Sequence, residues 1–200
     1  MKKIAVFASG SGSNFQAIAA AAQSGSLNAE ICLLVCDKPG AFAVERAGML
    51  GIPAMVISPK DFKTKEAYEA EILQKLTEMD VEFIVLAGYM RLIGPVLLKA
   101  YESKIVNIHP SLLPAFPGKD AIGQALAAGV KTTGVTIHYV DEGMDTGPII
   151  ASAAVQVEDG ETRESLQKKV QRIEHSLYPE VLEQLLSGKK EEAQWEQSVH

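Results

Sequence analysis

From Lys3 to His109 short runs of β-branched and other apolar residues alternate with stretches of helical periodicity, and that rhythm admits few architectures. Lys3 to Ser9, Glu30 to Cys36, Ala54 to Ile57, Phe83 to Leu86 and Ile105 to His109 read as strands. Asn14 to Gln23, Phe42 to Leu50 and, behind Thr64, Lys65 to Glu78 read as helices. Strands joined through helices run parallel, with right-handed crossovers and helices covering the sheet.

After Gly118 the rhythm changes. A helix from about Ala121 to Ala128 leads to strands Gly134 to Val140 and Ile149 to Val157, joined only by DEGMDTGP, too little chain for a helical crossover. That pair is expected to be antiparallel. The last helical pattern repeats Leu166, Val170, Ile173, Leu177, Val181 and Leu185 at three or four positions, with Thr162 as N-cap, Gly188 as stop, and Pro179 expected to kink or interrupt it. The fold class is therefore α/β: one Rossmann-like domain over residues 1–200, a mostly parallel twisted sheet with helices on both faces and an antiparallel C-terminal strand pair.

Composition narrows the function. A hydrophobic fraction of 47% supports a substantial core, and 19 basic against 25 acidic residues, a net charge of -6, disfavours a broad nucleic-acid face while permitting a small anionic ligand. Cys32 and Cys36 fall in the apolar run ICLLVC and read as buried thiols in a reducing compartment, with no zinc-ligand spacing around them. The N-terminal apolar run is too brief for a signal peptide, and no segment approaches the ~18 apolar residues of a membrane span. A soluble cytoplasmic protein without repeats or interdomain linkers is expected.

Gly10, Ser11, Gly12, Ser13 and Asn14 lie between the first strand and the first helix, where unpaired amides and the helix dipole attract an anion. A bare turn, a single-phosphate site and a dinucleotide site all fit this pattern. Phe15 occupies the third glycine position of the dinucleotide fingerprint, and Asp37 is the nearest acid after the second strand, so that reading lacks an element. Ser13 and Asn14 add side-chain donors that favour phosphate, although both are also ordinary helix caps.

The stretch IVNIHPSLLPAFPG, Ile105 to Gly118, ends a strand on Asn107 and His109, which share one face while Val106 and Ile108 share the other. Pro110, Pro114 and Pro117 stiffen the chain behind them. In open α/β sheets ligands bind beyond the carboxyl ends of the strands. Imidazole moves protons near neutral pH and a carboxamide stabilises charge on oxygen, a combination suited to acyl transfer. A third member is expected at Asp145, in the Gly143 to Gly147 loop after a strand expected to neighbour the fifth. A hydrogen-bonded structural histidine is the alternative for His109. His138 reads either as a core residue or as a second polar group lining the cleft, His175 lies on the last helix, and His200 carries no assignment.

Together FASGSGSN, AGYMRL at Ala87 to Leu92, NIHPSLLPAFPG and TIHYVDEGMDTGPII at Thr136 to Ile150 resemble the glycinamide ribonucleotide formyltransferases, folate-dependent enzymes of purine synthesis. The resemblance runs from Ile4 to about Gly188. It implies formyl transfer from 10-formyltetrahydrofolate to the primary amine of glycinamide ribonucleotide, without metal or covalent intermediate. His109 would be the general acid, Asn107 would steady the tetrahedral oxyanion, and Asp145 would support the protonated imidazole. The resemblance also implies substrate phosphate at Gly12, Ser13 and Asn14, further substrate contact at Glu174, and folate near Lys65, Met90, Arg91, Leu92, Ile93 and Asn107. Lys65 stands where some relatives carry arginine. The implied partners are these small molecules, with no nucleic acid or membrane, for a monomer or homodimer. A formyltetrahydrofolate hydrolase and a noncatalytic phosphate- or nucleotide-binding module are the alternatives.

Overall fold

Strand β1 (Lys2–Ala8) is the axis of the molecule because both of its faces are covered: Ile4, Ala5, Val6, Phe7 and Ala8 are inaccessible to solvent in the computed structural model, which describes residues 1–188. It pairs in parallel with β2 (Ala29–Cys36) on one side and with β4 (Phe83–Leu86) on the other. Strands β3 (Ala54–Val56), β5 (Ile105–His109), β6 (Thr132–Tyr139) and β7 (Ile149–Gln156) complete a seven-stranded sheet in the order β3-β2-β1-β4-β5-β6-β7. The order reverses direction at β1, which opens a crevice at the carboxyl ends of β1 and β4. Pairing is parallel as far as β5 and antiparallel from β5 to β6 and β6 to β7; the short β6–β7 connection requires this, whereas the β5–β6 connection, which contains α5, is long enough for either sense.

Each face of the sheet carries its own apolar layer. On one side Phe15 and Ile18 of α1 (Ser13–Ser24) and Leu166, Val170, Tyr178 and Val181 of α6 (Arg163–Leu186) pack on Ile4, Val6, Val85, Val106 and Ile108. Ala43 and Ala47 of α2 (Phe42–Met49) and, partly buried, Ile122 and Leu126 of α5 (Ala121–Ala127) join that layer. On the other side Ile72 and Leu76 of α3 (Lys65–Glu78) and Leu97 of α4 (Pro95–Ala100) cover Ala5, Phe7, Ile84, Leu86 and Ile105. Cys32 and Cys36 are free and buried, and burial raises both thiol pKa values.

Three local features differ from the sequence expectations. Helix α4 was not anticipated, since six residues are too few to display periodicity; it is capped from outside, by the buried Glu69 carboxylate accepting from Gly94 N at 2.5 Å and Leu97 N at 3.4 Å. Helix α6 continues through Pro179 without interruption, where a kink or an interruption was expected. A proline inside a helix costs about 3 kcal/mol, but Leu177 and Tyr178 before it and Val181 and Leu182 after it are buried against the sheet, at roughly 1.5–3 kcal/mol for each large apolar side chain. Helix α1 begins at Ser13 with Gly12 as its left-handed N-cap, so neither Ser13 nor Asn14 takes the capping role. Thr64 and Thr162 do cap their helices, accepting from Ala67 N and Ser165 N.

The Tyr178 hydroxyl, fully buried, donates to the Leu86 carbonyl at 2.9 Å and lies 3.3 Å from the Val106 carbonyl, tying α6 to two adjacent strands. Tyr178→Phe is expected to lower the unfolding free energy by about 1 kcal/mol. Urea denaturation at unchanged m-value checks this; an unaltered midpoint would show that the tie carries no stability.

Candidate active site

On β5, Ile105 points into the α3/α4 layer, and Asn107 and His109 follow it on the same face beyond the packed part of the strand. Antiparallel register sets Asn107 opposite His138 and His109 opposite Thr136. The β6–β7 register slips between Ile137 and His138, a bulge beside the site of the kind that re-aims side chains. Thr136 pins the proline-rich loop: its hydroxyl donates to Ser111 O at 2.7 Å and accepts from Leu113 N at 3.0 Å.

The chain returns from β6 through a loop held by Asp141, whose Oδ1 accepts from Gly143 N at 3.0 Å and from the Thr146 hydroxyl at 2.7 Å. Gly147 fits only without a side chain, because a Cβ there would lie 1.8 Å from Tyr139 O. This closure brings Asp145 over the end of β5. Its Oδ2 accepts from Gly118 N at 2.7 Å and stands 3.3 Å from His109 Nδ1; its Oδ1 is 3.5 Å from Asn107 Nδ2 and 3.6 Å from His138 Nε2. Burial pushes the Asp145 carboxyl up, but the neighbouring His138 imidazole, the Gly118 amide and the charge of His109 outweigh it and hold the group below the usual carboxylate range.

Both nitrogens of His109 face oxygen acceptors, Nδ1 the Asp145 carboxylate and Nε2 the Phe116 carbonyl at 2.9 Å. Two oxygen acceptors thus hold the ring by both of its nitrogens. His138 is held differently: Nδ1 lies 2.8 Å from Tyr139 O, and Nε2 lies 3.2 Å from Asn107 Nδ2 and 3.6 Å from Asp145 Oδ1. His138 thus steers the carboxamide.

These groups line a cleft of about 490 Å³ that also contains Gly10 to Asn14 and Glu174. Gly12 has φ +72°, and a Cβ on it would lie 2.7 Å from Ala43 Cα, so the turn is built against α2 with no room for a side chain. Asn14 Nδ2 donates to Glu174 Oε2 at 3.0 Å, so that donor is already engaged, while Asn14 Oδ1 is buried without a partner among the described residues. Burial raises the Glu174 pKa, with the Asn14 bond opposing it. Glu174 is a buried cleft residue rather than a solvated edge carboxylate.

Met90, Arg91, Leu92 and Ile93 form a wall of the same cleft; Met90 and Leu92 are 65% and 47% exposed. Met90 N donates to Ser9 Oγ at 2.9 Å, anchoring that wall to the end of β1. Arg91 Nε is 2.6 Å from Asp37 Oδ2, so the one acid suited to a dinucleotide ribose is paired with a cation. Lys65 does not line the main cleft. It borders an adjoining hollow of about 430 Å³ that shares the Tyr89 to Ile93 wall. His175 is apart from the trio, its Nε2 buried without a partner among the described residues and its pKa lowered by burial and by the Arg46 charge; His200 lies outside the described residues. The Phe116 carbonyl, the Gly118 amide and Arg46 were not foreseen, and only the last has a side chain that a sequence could have flagged.

A family model described as formyl transferase matches residues 2–182. The phosphoribosylglycinamide formyltransferase of Bacillus subtilis (strain 168) is 55% identical over 186 residues, covering 93% of this chain and 95% of that protein. The trifunctional purine biosynthetic protein adenosine-3 of Drosophila pseudoobscura pseudoobscura is 45% identical over 189 residues, which are 94% of this chain but 14% of that longer protein. The crystal structure of phosphoribosylglycinamide formyltransferase from Bacillus halodurans matches with a TM-score of 0.92 at 57% identity, covering 98% of this chain and 100% of that one.

The lowered Asp145 pKa has a measurable sign. Its stabilising contribution is complete above the unfolded value, about 3.9, and is lost as pH falls through the lower folded value. The stability difference between the wild type and Asp145→Asn, from urea titrations, should fall in the wild type's disfavour as pH drops from about 5 to below about 4. A difference that moves the other way on acidification would contradict the assigned contacts.

Proposed function

The chain belongs to the formyl transferase family, and we propose that within it this protein transfers a formyl group from 10-formyltetrahydrofolate to the primary amine of N1-(5-phospho-D-ribosyl)glycinamide, a step of de novo purine biosynthesis. The observation that carries this reading is the meeting of Asp145, His109 and Asn107 in the cleft that also holds the glycine turn. One cavity thus contains proton-transfer machinery and an anion cradle.

The donor, when bound, supplies an electrophilic formyl carbon. The cleft suits it: Met90, Leu92 and Ile93 offer apolar surface to a flat heterocycle, and Lys63 and Lys65 at the adjoining hollow offer cations to an acidic tail. Asn107 Nδ2 donates to negative charge developing on the formyl oxygen. His109 delivers its Nε2 proton to the departing nitrogen, turning from the Phe116 carbonyl to do so, while Asp145 keeps Nδ1 aligned and balances the imidazolium, and the proton shed by the attacking amine restores the imidazole. Direct attack by the substrate amine requires no nucleophilic side chain; Cys32 and Cys36 lie outside the cleft. The Ser11 to Asn14 turn takes the phosphate, and Glu174 accepts from substrate hydroxyl or amide groups.

No helix among the described residues is long and apolar enough to cross a membrane. Two buried free thiols support a reducing, cytoplasmic setting.

Purified protein given phosphoribosyl glycinamide and 10-formyltetrahydrofolate, with water and glycine as competing acceptors, should formylate the ribonucleotide alone. Formate release at the same rate without an amine would instead identify a hydrolase. His109→Ala and Asp145→Asn are each expected to lower kcat by at least ~100-fold while retaining native circular dichroism. Turnover near that of the wild type in either variant would remove that residue from the mechanism.

A further inference from the structure

Arg46 lies in α2, outside the lining of the cleft, yet its side chain reaches the turn that the proposed substrate phosphate occupies. Its Nε donates to the Ser11 carbonyl at 2.8 Å. One residue earlier, the Gly10 carbonyl accepts from Ala43 N at 3.1 Å, so α2 draws two successive carbonyls of the turn toward itself. A trans peptide unit directs its N–H opposite to its C=O. The Ser11 and Gly12 amides, which share those two peptide planes, therefore point away from α2 and toward the cleft that both residues line. Neither amide has a protein acceptor among the described residues.

Arg46 also brings a positive charge to the turn. The guanidinium carbon lies 4.6 Å from the centroid of the Phe42 ring, and Arg46 forms no ion pair with a carboxylate among the described residues. Gly12, with a Cβ position only 2.7 Å from Ala43 Cα, leaves no slack through which the turn could shift if that bond were lost without consequence. Ala43 and Arg46 thus shape the turn together.

We infer that Arg46 is a positioning residue for phosphate recognition: by holding the Ser11 carbonyl it aims consecutive backbone amides at the phosphate, and its charge strengthens them. Successive amides in such a concave arrangement make an anion-binding nest, and a cation behind the nest adds to its field. Arg46 touches no reacting atom. The inference rests on the assignment of the substrate phosphate to this turn.

The test compares the phosphorylated substrate with its dephosphorylated riboside in the wild type, Arg46→Met and Arg46→Lys. Arg46→Met keeps the packing of the stem and removes donor and charge. It is expected to raise KM for phosphoribosyl glycinamide about tenfold with kcat within about twofold, the loss appropriate to one charge-assisted hydrogen bond. KM for the formyl donor and kcat/KM for the riboside should stay as in the wild type, and inhibition by inorganic phosphate should weaken by a similar factor. Arg46→Lys, which keeps the charge, should recover part of the loss. If Arg46→Met loses as much on the riboside as on the phosphorylated substrate, or leaves both unchanged, the inference is overturned and the turn remains a phosphate site. If the wild type itself fails to distinguish the two substrates, the phosphate assignment falls, and the inference with it.

Discussion

The antiparallel pairing of β5 with β6 is the constraint on which the rest of the site depends. The connection from β5 passes through α5 and would allow either sense of the next strand. β6 runs back along β5, sets His138 beside Asn107 and ends beside Val106, so the Asp141 to Gly147 loop folds back along the strand and lays Asp145 against Asn107 and His109. Parallel strands deliver their carboxyl ends to a common crevice, and the loop behind one reversed neighbour folds a carboxylate into it as well. Both properties come from one sheet.

Rigidity is the second theme. Asp145 is fixed by the Gly118 amide, the proline-rich loop by Thr136, the wall at Met90 by Ser9, and α4 by the buried Glu69 carboxylate. None of these contacts needs a ligand to form. A site assembled in advance spends little binding free energy on ordering itself, so more of it is available to orient the reacting groups. Buried polar groups in such numbers would be costly if left unmet, and most of them are met by backbone amides and carbonyls.

How much of this the sequence disclosed follows from which groups carry a residue signature. The first five strands and their parallel sense were legible because apolar periodicity changes at each helix, and β6 and β7 because DEGMDTGP is too short for a crossover. Asn107 and His109 were legible from a spacing of two on a strand, and Asp145 from chain order alone. Helix α4 was not, since its cap lies on another helix. Pro179 misled because a local rule was overridden by burial on both sides of it. The Phe116 carbonyl and the Gly118 amide belong to the backbone, where every sequence reads alike, and Lys65 shares a wall with the cleft without entering it.

Helix α6 carries Glu174 into the cleft and, four positions later, locks Tyr178 onto the carbonyls of β4 and β5. That interval behaves as a gauge. Inserting or deleting one residue between the two would rotate the carboxylate by about 100° relative to the anchored phenol, toward a neighbouring helix or bulk solvent. Residue identities along this stretch can drift over evolutionary time, but its length cannot, and lineages sharing this architecture should be free of gaps there even where little else in the helix is shared.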